Sequence, residues 1–470
     1  MKKIIALLLL VPSIALFAQK TNNPASYAKT ITAADLQKNL YTIAGKEMEG
    51  RETATPGQKK AAIYIENYFK SLGLQPGNKG SYQMTFPVYR DEVTKSLLEI
   101  NGTEYKVNTE YQPYTFTNYN TSQYFSEVVF AGHGIADSSF NDYKDLNVAG
   151  KLVLIMDGLP TAYQPKGSPP SAGIFSKIIY AQRKGAAGVL IVSSNFPRSP
   201  RPTGTMYREL YRGSQYLPTW YVSEKVAEVI MGNTDWLNIK EDYKTDQLPS
   251  KIYASNVHLE FEKNIQKLES SNVLGFMEGT DLKDEYVFLT AHYDHLGQMG
   301  DGTYFPGAND NASGTSMVLN LVKYFSQHPS KYSVAFICFT GEELGLLGST
   351  YFVQHPQFPI DKIKFLVNLD IVGTGDEGIK VVNATEFPKQ FDQLVKLNDE
   401  HQYLRTVSPR GKAANSDHYP FYVNGVPCFF IYTMGGIAAY HDVYDRAETL
   451  PLTDYEDLFK LLIDFEKSLE

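Results

Sequence analysis

Beyond residue 255 the chain repeatedly sets a short, almost wholly apolar run ahead of a polar cluster, and helical stretches separate these runs. That alternation restricts it to the α/β folds. Tyr286 to Thr290, Val334 to Phe339, Phe365 to Leu369 and Pro427 to Tyr432 have the length of strands and the near-continuous apolarity of strands covered on both faces. Thr315 to Phe325 has helical character between the first two. Upstream, Ala62, Ile65, Phe69 and Leu72 fall at helical spacing and Gly73 closes the pattern as a C-cap, whereas Met48 to Thr53 has the glycine and polar content of a loop. From about 118 to 254 the character changes. Short β-like runs such as Glu127 to Phe130 and Lys151 to Met156, a helix over Ile174 to Arg183 and a strand over Val189 to Val192 describe a separate small module. The stretch Pro197 to Gly204 reads as an exposed loop within it.

With 470 residues, two domains are expected, with room for one to be discontinuous. Met1-Lys2-Lys3 followed by the apolar run Ile4 to Phe17 predicts a signal peptide over residues 1–18 and an exported protein, periplasmic or extracellular. That run is shorter than the ~20 residues of a bilayer-spanning helix and contains Pro12, so no stable membrane span is expected. A net charge of −8, without a basic cluster after the first residues, argues against nucleic acid as a partner. Cys338 and Cys428 both sit in apolar runs and read as buried small hydrophobes, not as a disulfide or metal ligands.

The polar clusters carry the chemistry. Ala291-His292-Tyr293-Asp294-His295 follows the first run, and in it His292 can bind a metal while Asp294 orients the imidazole. Asp310, in Gly307 to Gly314, stands at a helix start, where an acidic residue is favoured with or without a metal. After the second run Glu342 and Glu343 are adjacent, one free to ligate and the other to act as a general base. Asp370 interrupts a long apolar stretch, which is costly unless the carboxylate is paired or bound to a cation. His441 follows the fourth run through a glycine-containing loop. Two imidazoles and three carboxylates, with one carboxylate bridging, suit a pair of catalytic zinc ions better than a structural cysteine site.

The ordered series AHYDH, GANDNASG, TGEELG, NLDIVG and YHDVYD resembles the M28 family of zinc peptidases, as do the early EMEGRETATPGQ and the region from Ser416-Asp417-His418 to Pro427. The resemblance implies a three-layer α/β/α fold with a mixed central sheet and a small β-rich protease-associated (PA) domain inserted into it. The peptidase domain would be formed by residues 24–117 and 255–470, with the insert at 118–254. It also implies two zinc ions held by His292, Asp310, Glu343, Asp370 and His441 with Asp310 as the bridge, Asp294 as the orienting residue, and Glu342 as the base that activates a water between the metals. His295 departs from many members, which carry Ser or Thr there, and is read as a residue behind the ligands. Asp417, His418 and Tyr440 are candidates for the substrate pocket. The implied activity is removal of N-terminal residues from peptides.

Two other enzymes on the same scaffold compete with that reading. A glutaminyl-cyclase-like transferase is expected to resemble a one-zinc version without the insert, and a carboxypeptidase needs a basic subsite, for which Arg198, Arg201 and Arg410 are candidates. A non-catalytic receptor-like protein is expected to have lost ligands, and all five are present together with Glu342.

Overall fold

A computed structural model describes residues 33–469 apart from 138–139, 161–162, 164–172, 198–205, 208–214, 243–247, 249, 300–301 and 437. The expected signal peptide lies outside the described residues, as does most of the stretch expected as an exposed loop. The chain opens with α1 (Ala33–Ile43) and α2 (Pro56–Ser71), followed by β1 (Gln83–Ile100). Next come β2 (Thr121–Phe130), β3 (Leu152–Met156), α3 (Ile174–Arg183), β4 (Gly188–Val192), β5 (Thr219–Val222), α4 (Glu224–Met231) and α5 (Asn233–Asp242). The third stretch holds β6 (Lys251–Met277), β7 (Leu282–His292), α6 (Gly314–Gln327), β8 (Tyr332–Phe339), α7 (Leu347–Gln354), β9 (Ile363–Leu369) and β10 (Ile379–Val382). It closes with α8 (Pro388–His401), β11 (Val407–Arg410), α9 (His418–Val423), β12 (Cys428–Thr433) and α10 (Tyr455–Ser468). Thr55-Pro56 starts α2 as a side-chain cap followed by a proline preset for the first helical turn.

One half of the sheet runs β11-β10-β12-β9-β7-β8-β6. β8, β7, β9 and β12 are parallel, while β10 and β6 run antiparallel to their neighbours β12 and β8, which makes the sheet mixed. Alternate side chains of the parallel strands enter opposite cores. Val287, Leu289, Val334, Phe336, Val367 and Phe429 pack with α1, α2, α6 and α10, whereas Phe288, Ile337, Leu366 and Cys428 pack with Phe352 of α7 and Phe421 of α9. Burial on both faces explains the unbroken apolarity of these runs and produces the three layers. Both cysteines are free and buried.

The sheet does not stop at β6. This 27-residue strand pairs with β1 along most of its length, with β8 through its last five residues and with β2 through its first half. β2, β3, β4 and β5 then continue in parallel, with cores on either face. The expected boundaries at 117/118 and 254/255 are therefore not breaks in the chain's packing. Residue 254 lies inside β6, and Leu98, Ile100, Tyr105 and Tyr111 belong to the core of the second half. Between the two halves, residues 262–272 of β6 have β1 as their strand partner, forming a two-stranded ribbon with a bulge at Glu262/Lys263. Here Lys263 Nζ lies 2.8 Å from buried Asp91 Oδ2, and the Tyr207 hydroxyl donates to Asp91 Oδ1 at 2.8 Å.

Candidate metal centre

The polar clusters leave the carboxyl ends of the parallel strands, where sheets of this kind present their ligands. β7 ends on His292, β8 leads to Glu342 and Glu343, β9 to Asp370, and β12 into the loop that carries His441. Asp310 comes from the turn Ala308–Ser313 that feeds α6. That turn needs Gly307, whose φ is +53° and whose added Cβ would lie 2.4 Å from the His295 ring.

These side chains converge. His292 Nε2 is 3.3 Å from Asp370 Oδ1 and 3.4 Å from Asp310 Oδ1. The other Asp310 oxygen, Oδ2, is 3.2 Å from His441 Nε2, which is also 3.0 Å from Glu343 Oε2. Asp310 thus belongs to two triads, one with His292 and Asp370, the other with His441 and Glu343. Glu342 Oε2 lies beside the first triad, 4.0 Å from His292 Nε2. Asp294 presents its backbone oxygen 3.3 Å and its carboxylate 3.6 Å from His292 Nδ1. His295 Nδ1 meets the remaining Glu343 oxygen at 2.8 Å, and His295, Asp310 and Glu343 also form a triad able to hold an ion.

A buried frame holds the triads. Thr290 donates to Asn368, Asn368 to Ser416, and Ser416 to Asp370 Oδ2, each bond at 2.7–2.8 Å. Asp445 accepts from the backbone N–H groups of Asn309 and Asp310 at 2.8 and 3.0 Å. Thr53 donates to Asp294 at 3.0 Å. Arg51 is fully buried, and its guanidinium donates to the carbonyls of Ile43, Tyr293, Pro306 and Gly307 at 2.7–2.9 Å. It ties the segment carrying His292 and Asp294 to the segment carrying Asp310. The Met48 to Thr53 stretch, expected as a loop, is thus a buried support: it includes the short 3-10 turn Lys46–Arg51, and its burial depends on partners some 240 positions away in sequence.

Among the described residues, no Lys or Arg side chain lies within 4.0 Å of Asp310, Glu342, Glu343 or Asp370; their charged neighbours are imidazoles. Burial opposes ionisation of Glu343, yet the hydrogen bond from His295 and the close approach of His441 leave its carboxyl below the usual range. Burial likewise pushes Asp310 up, and His292 and His441 overcome it, so its carboxyl is held far below the ordinary value. The two carboxylates lift His441 to about 10. Burial, with Asp370 and Asp417 nearby, pushes Glu342 well above the carboxylate range against the pull of His292. His441 Nε2 makes no hydrogen bond of acceptable geometry despite its short contacts. So many partly buried carboxylates without a fixed cation are costly, and their nitrogen and oxygen donors fit zinc.

A cavity of about 320 Å³ opens onto this cluster, lined by Asp310, Glu342, Asp370, Ile371, Arg410, Asn415, Phe430, Tyr432 and Tyr440. Tyr440 therefore stands on its wall, stacked on the His441 ring with centroids 3.8 Å apart. Asp417 and His418 are fully buried and do not line the cavity. Burial raises Asp417 to about 7 and lowers His418 to about 3. Of the three arginines considered, Arg410 lines the cavity, while Arg198 and Arg201 lie outside the described residues. Among the described residues, no helix is long and apolar enough to cross a membrane.

Residues 272–465 match the model of peptidase family M28, and residues 124–230 match that of the PA domain. Over 450 residues the chain is 24% identical to aminopeptidase YwaD of Bacillus subtilis, covering 91% of this chain and 84% of that protein. A probable zinc metalloprotease of Pyrenophora teres is 31% identical over 165 residues, which is 32% of this chain and 34% of the relative. Among solved structures, an aminopeptidase from Aneurinibacillus sp. strain AM-1 has the same fold with a TM-score of 0.65 at 19% identity, covering 95% and 96% of the two chains. A zinc aminopeptidase from Bacillus subtilis gives 0.60 at 21% identity, covering 92% and 94%.

Proposed function

The chain belongs to peptidase family M28 and carries a PA domain, and from that premise we propose that it is an exported aminopeptidase that uses two zinc ions to release N-terminal residues from peptides. His292, Asp310 and Asp370 would hold one ion, and Asp310, Glu343 and His441 the other. The observation that carries this assignment is the division of Asp310, one oxygen towards His292 and the other towards His441. Bound zinc supplies Lewis-acid polarisation and a lowered pKa for water.

The remaining roles belong to the chain itself. Glu342, on the cavity wall and beside the first triad, takes the proton of the attacking water and delivers it to the leaving amine. A carboxyl raised by burial and by neighbouring carboxylates is lowered again by cations beside it, which suits a group that must both accept and release a proton. Asp294 fixes the His292 ring, and the Ser416 hydroxyl fixes Asp370. Residues 1–18 direct export and are removed, and the PA domain lies within residues 118–254, packed on the strands β1 and β6 that flank it. The aminopeptidase named among the relatives, aligned over 91% of this chain, supports N-terminal rather than C-terminal cleavage.

The test is hydrolysis of aminoacyl-anilides and short peptides by the purified mature chain, with and without added zinc, beside Glu342→Gln. Zinc-dependent release of N-terminal residues, lost in the variant, is expected. A folded, zinc-loaded protein that releases none refutes the assignment.

A further inference from the structure

The cavity that reaches the metal triads carries one feature that metal binding does not use. Its wall is acidic where Asp310, Glu342 and Asp370 stand, and apolar or aromatic at Ile371, Phe430, Tyr432 and Tyr440. Among its lining residues one side chain is a cation, Arg410. The sheet fixes its distance from the metal site. Arg410 ends β11 opposite Val382 of β10, Val382 lies opposite Phe430 of β12, and Phe430 opposite Asn368 of β9, two residues before Asp370. Three strand spacings of ~4.8 Å put its backbone about 14 Å from that of Asn368.

Arg410 is also held and largely unspent. Its Nη1 donates to the Tyr432 hydroxyl at 3.2 Å, and the guanidinium lies 5.9 Å from the centre of the Tyr432 ring. Among the described residues, no carboxylate comes within 4.0 Å of it, although a guanidinium carries five N–H donors in a fork that matches a carboxylate. An exposed arginine on an edge strand is ordinarily just solvated. This one is braced by an aromatic ring on the wall of the cavity that leads to the reacting centre.

We propose that Arg410 receives a carboxylate of the substrate, so that the enzyme favours peptides presenting an anion to this cavity. The inference rests on the peptidase reading above and names its substrate class. Two sources offer the same chemistry: an Asp or Glu side chain on the N-terminal residue, and the terminal carboxylate of a very short peptide. In either case the amide to be cleaved lies at the acidic wall and the anion reaches towards β11.

The experiment compares near-isosteric pairs on the zinc-loaded protein. For the side-chain source, kcat/KM is measured for Glu- and Gln-anilides; for the terminal source, for Ala-Ala and its C-terminal amide. One pair is expected to favour the anion by about tenfold, the scale of a charge-assisted hydrogen bond, and that ratio should fall to about one in Arg410→Gln. Because each ratio is internal, a general loss of activity in the variant does not mimic the result. Calorimetric binding of L-glutamate against L-glutamine, and of Ala-Ala against its amide to Glu342→Gln, reads the same preferences without turnover. If no substrate is cleaved, the peptidase reading fails while the binding pairs still decide the role of Arg410. Ratios near one in the wild type, or ratios unchanged in Arg410→Gln, overturn the proposal.

Discussion

Replacing Arg51 with methionine isolates what a buried cation contributes beneath this site. Methionine keeps much of the length and apolar stem and removes four charged hydrogen bonds to the carbonyls of Ile43, Tyr293, Pro306 and Gly307. At the low end for bonds to a charged group, ~1.5 kcal/mol each, these contribute about 6 kcal/mol. Against them stands the cost of burying the guanidinium, which outweighs the attraction of the nearby carboxylates and brings its pKa from 12.5 to about 10, a net of roughly 3 kcal/mol. Arg51→Met should therefore destabilise the zinc-loaded protein by about 3 kcal/mol, measured by urea unfolding. The loss should be larger after zinc is stripped. Without metal, Arg51 adds its charge from below to that of the imidazoles in offsetting Asp294, Asp445, Asp310 and Glu343, whereas bound zinc would take over that task and repel the guanidinium. A loss below about 1 kcal/mol in both states would falsify the view that Arg51 clamps the two ligand-bearing segments together. An equal loss in both states would leave the clamp standing and remove the electrostatic half of the argument.

Other consequences follow from the same geometry. Asp310→Asn should release both metals, because both triads lose a ligand, whereas Glu343→Gln should retain about one zinc per chain; metal analysis after dialysis distinguishes them. Asp91→Ala removes the carboxylate that faces the largely buried Lys263 and should cost ~3 kcal/mol in urea unfolding, with a loss under 1 kcal/mol counting against a supporting role for the ribbon pair. Cys428, pushed up to about 12 by burial, and Cys338, pushed higher still, should both resist a thiol reagent in the native protein and both react in denaturant. Rapid labelling of either thiol in the folded protein contradicts their burial.

Some of this was legible in the sequence and some was not, for physical reasons that differ by residue. β7, β8, β9 and β12 could be drawn because strands covered on both faces must be apolar throughout, and the polar residues closing those runs had to lie near the strands' carboxyl ends. His292, Asp310, Glu343, Asp370 and His441 were found that way and by their resemblance to a known series, and the structure gathers them at one end of the sheet. Arg51 gave no such signal. Its neighbours Glu49, Gly50 and Glu52 look like surface, and its burial is decided by partners such as Tyr293 and Gly307, far away in the chain. Nor could Asp417 and His418 be told from pocket residues, because depth below a wall leaves no mark on local composition.

The expected boundary at 254/255 falls inside a strand for a related reason. Along 262–272 the sequence reads Glu, Lys, Asn, Ile, Gln, Lys, Leu, Glu, Ser, Ser, Asn, so it lacks the apolar pattern of a core strand, yet β6 runs through it unbroken. The ribbon lies between the cores of the two halves, and its backbone bonds to β1 keep the strand regular where burial alone does not. Over 257–261 β6 has β1 on one edge and β2 on the other, and over 273–277 it pairs with β8, whereas along the ribbon β1 is its one strand partner. Bending within this stretch therefore disturbs fewer strand pairings than bending over 257–261. The bulge at Glu262/Lys263 and the buried Lys263–Asp91 pair fall within it, so the ion pair links β6 to β1 where the backbone ladder between them is interrupted.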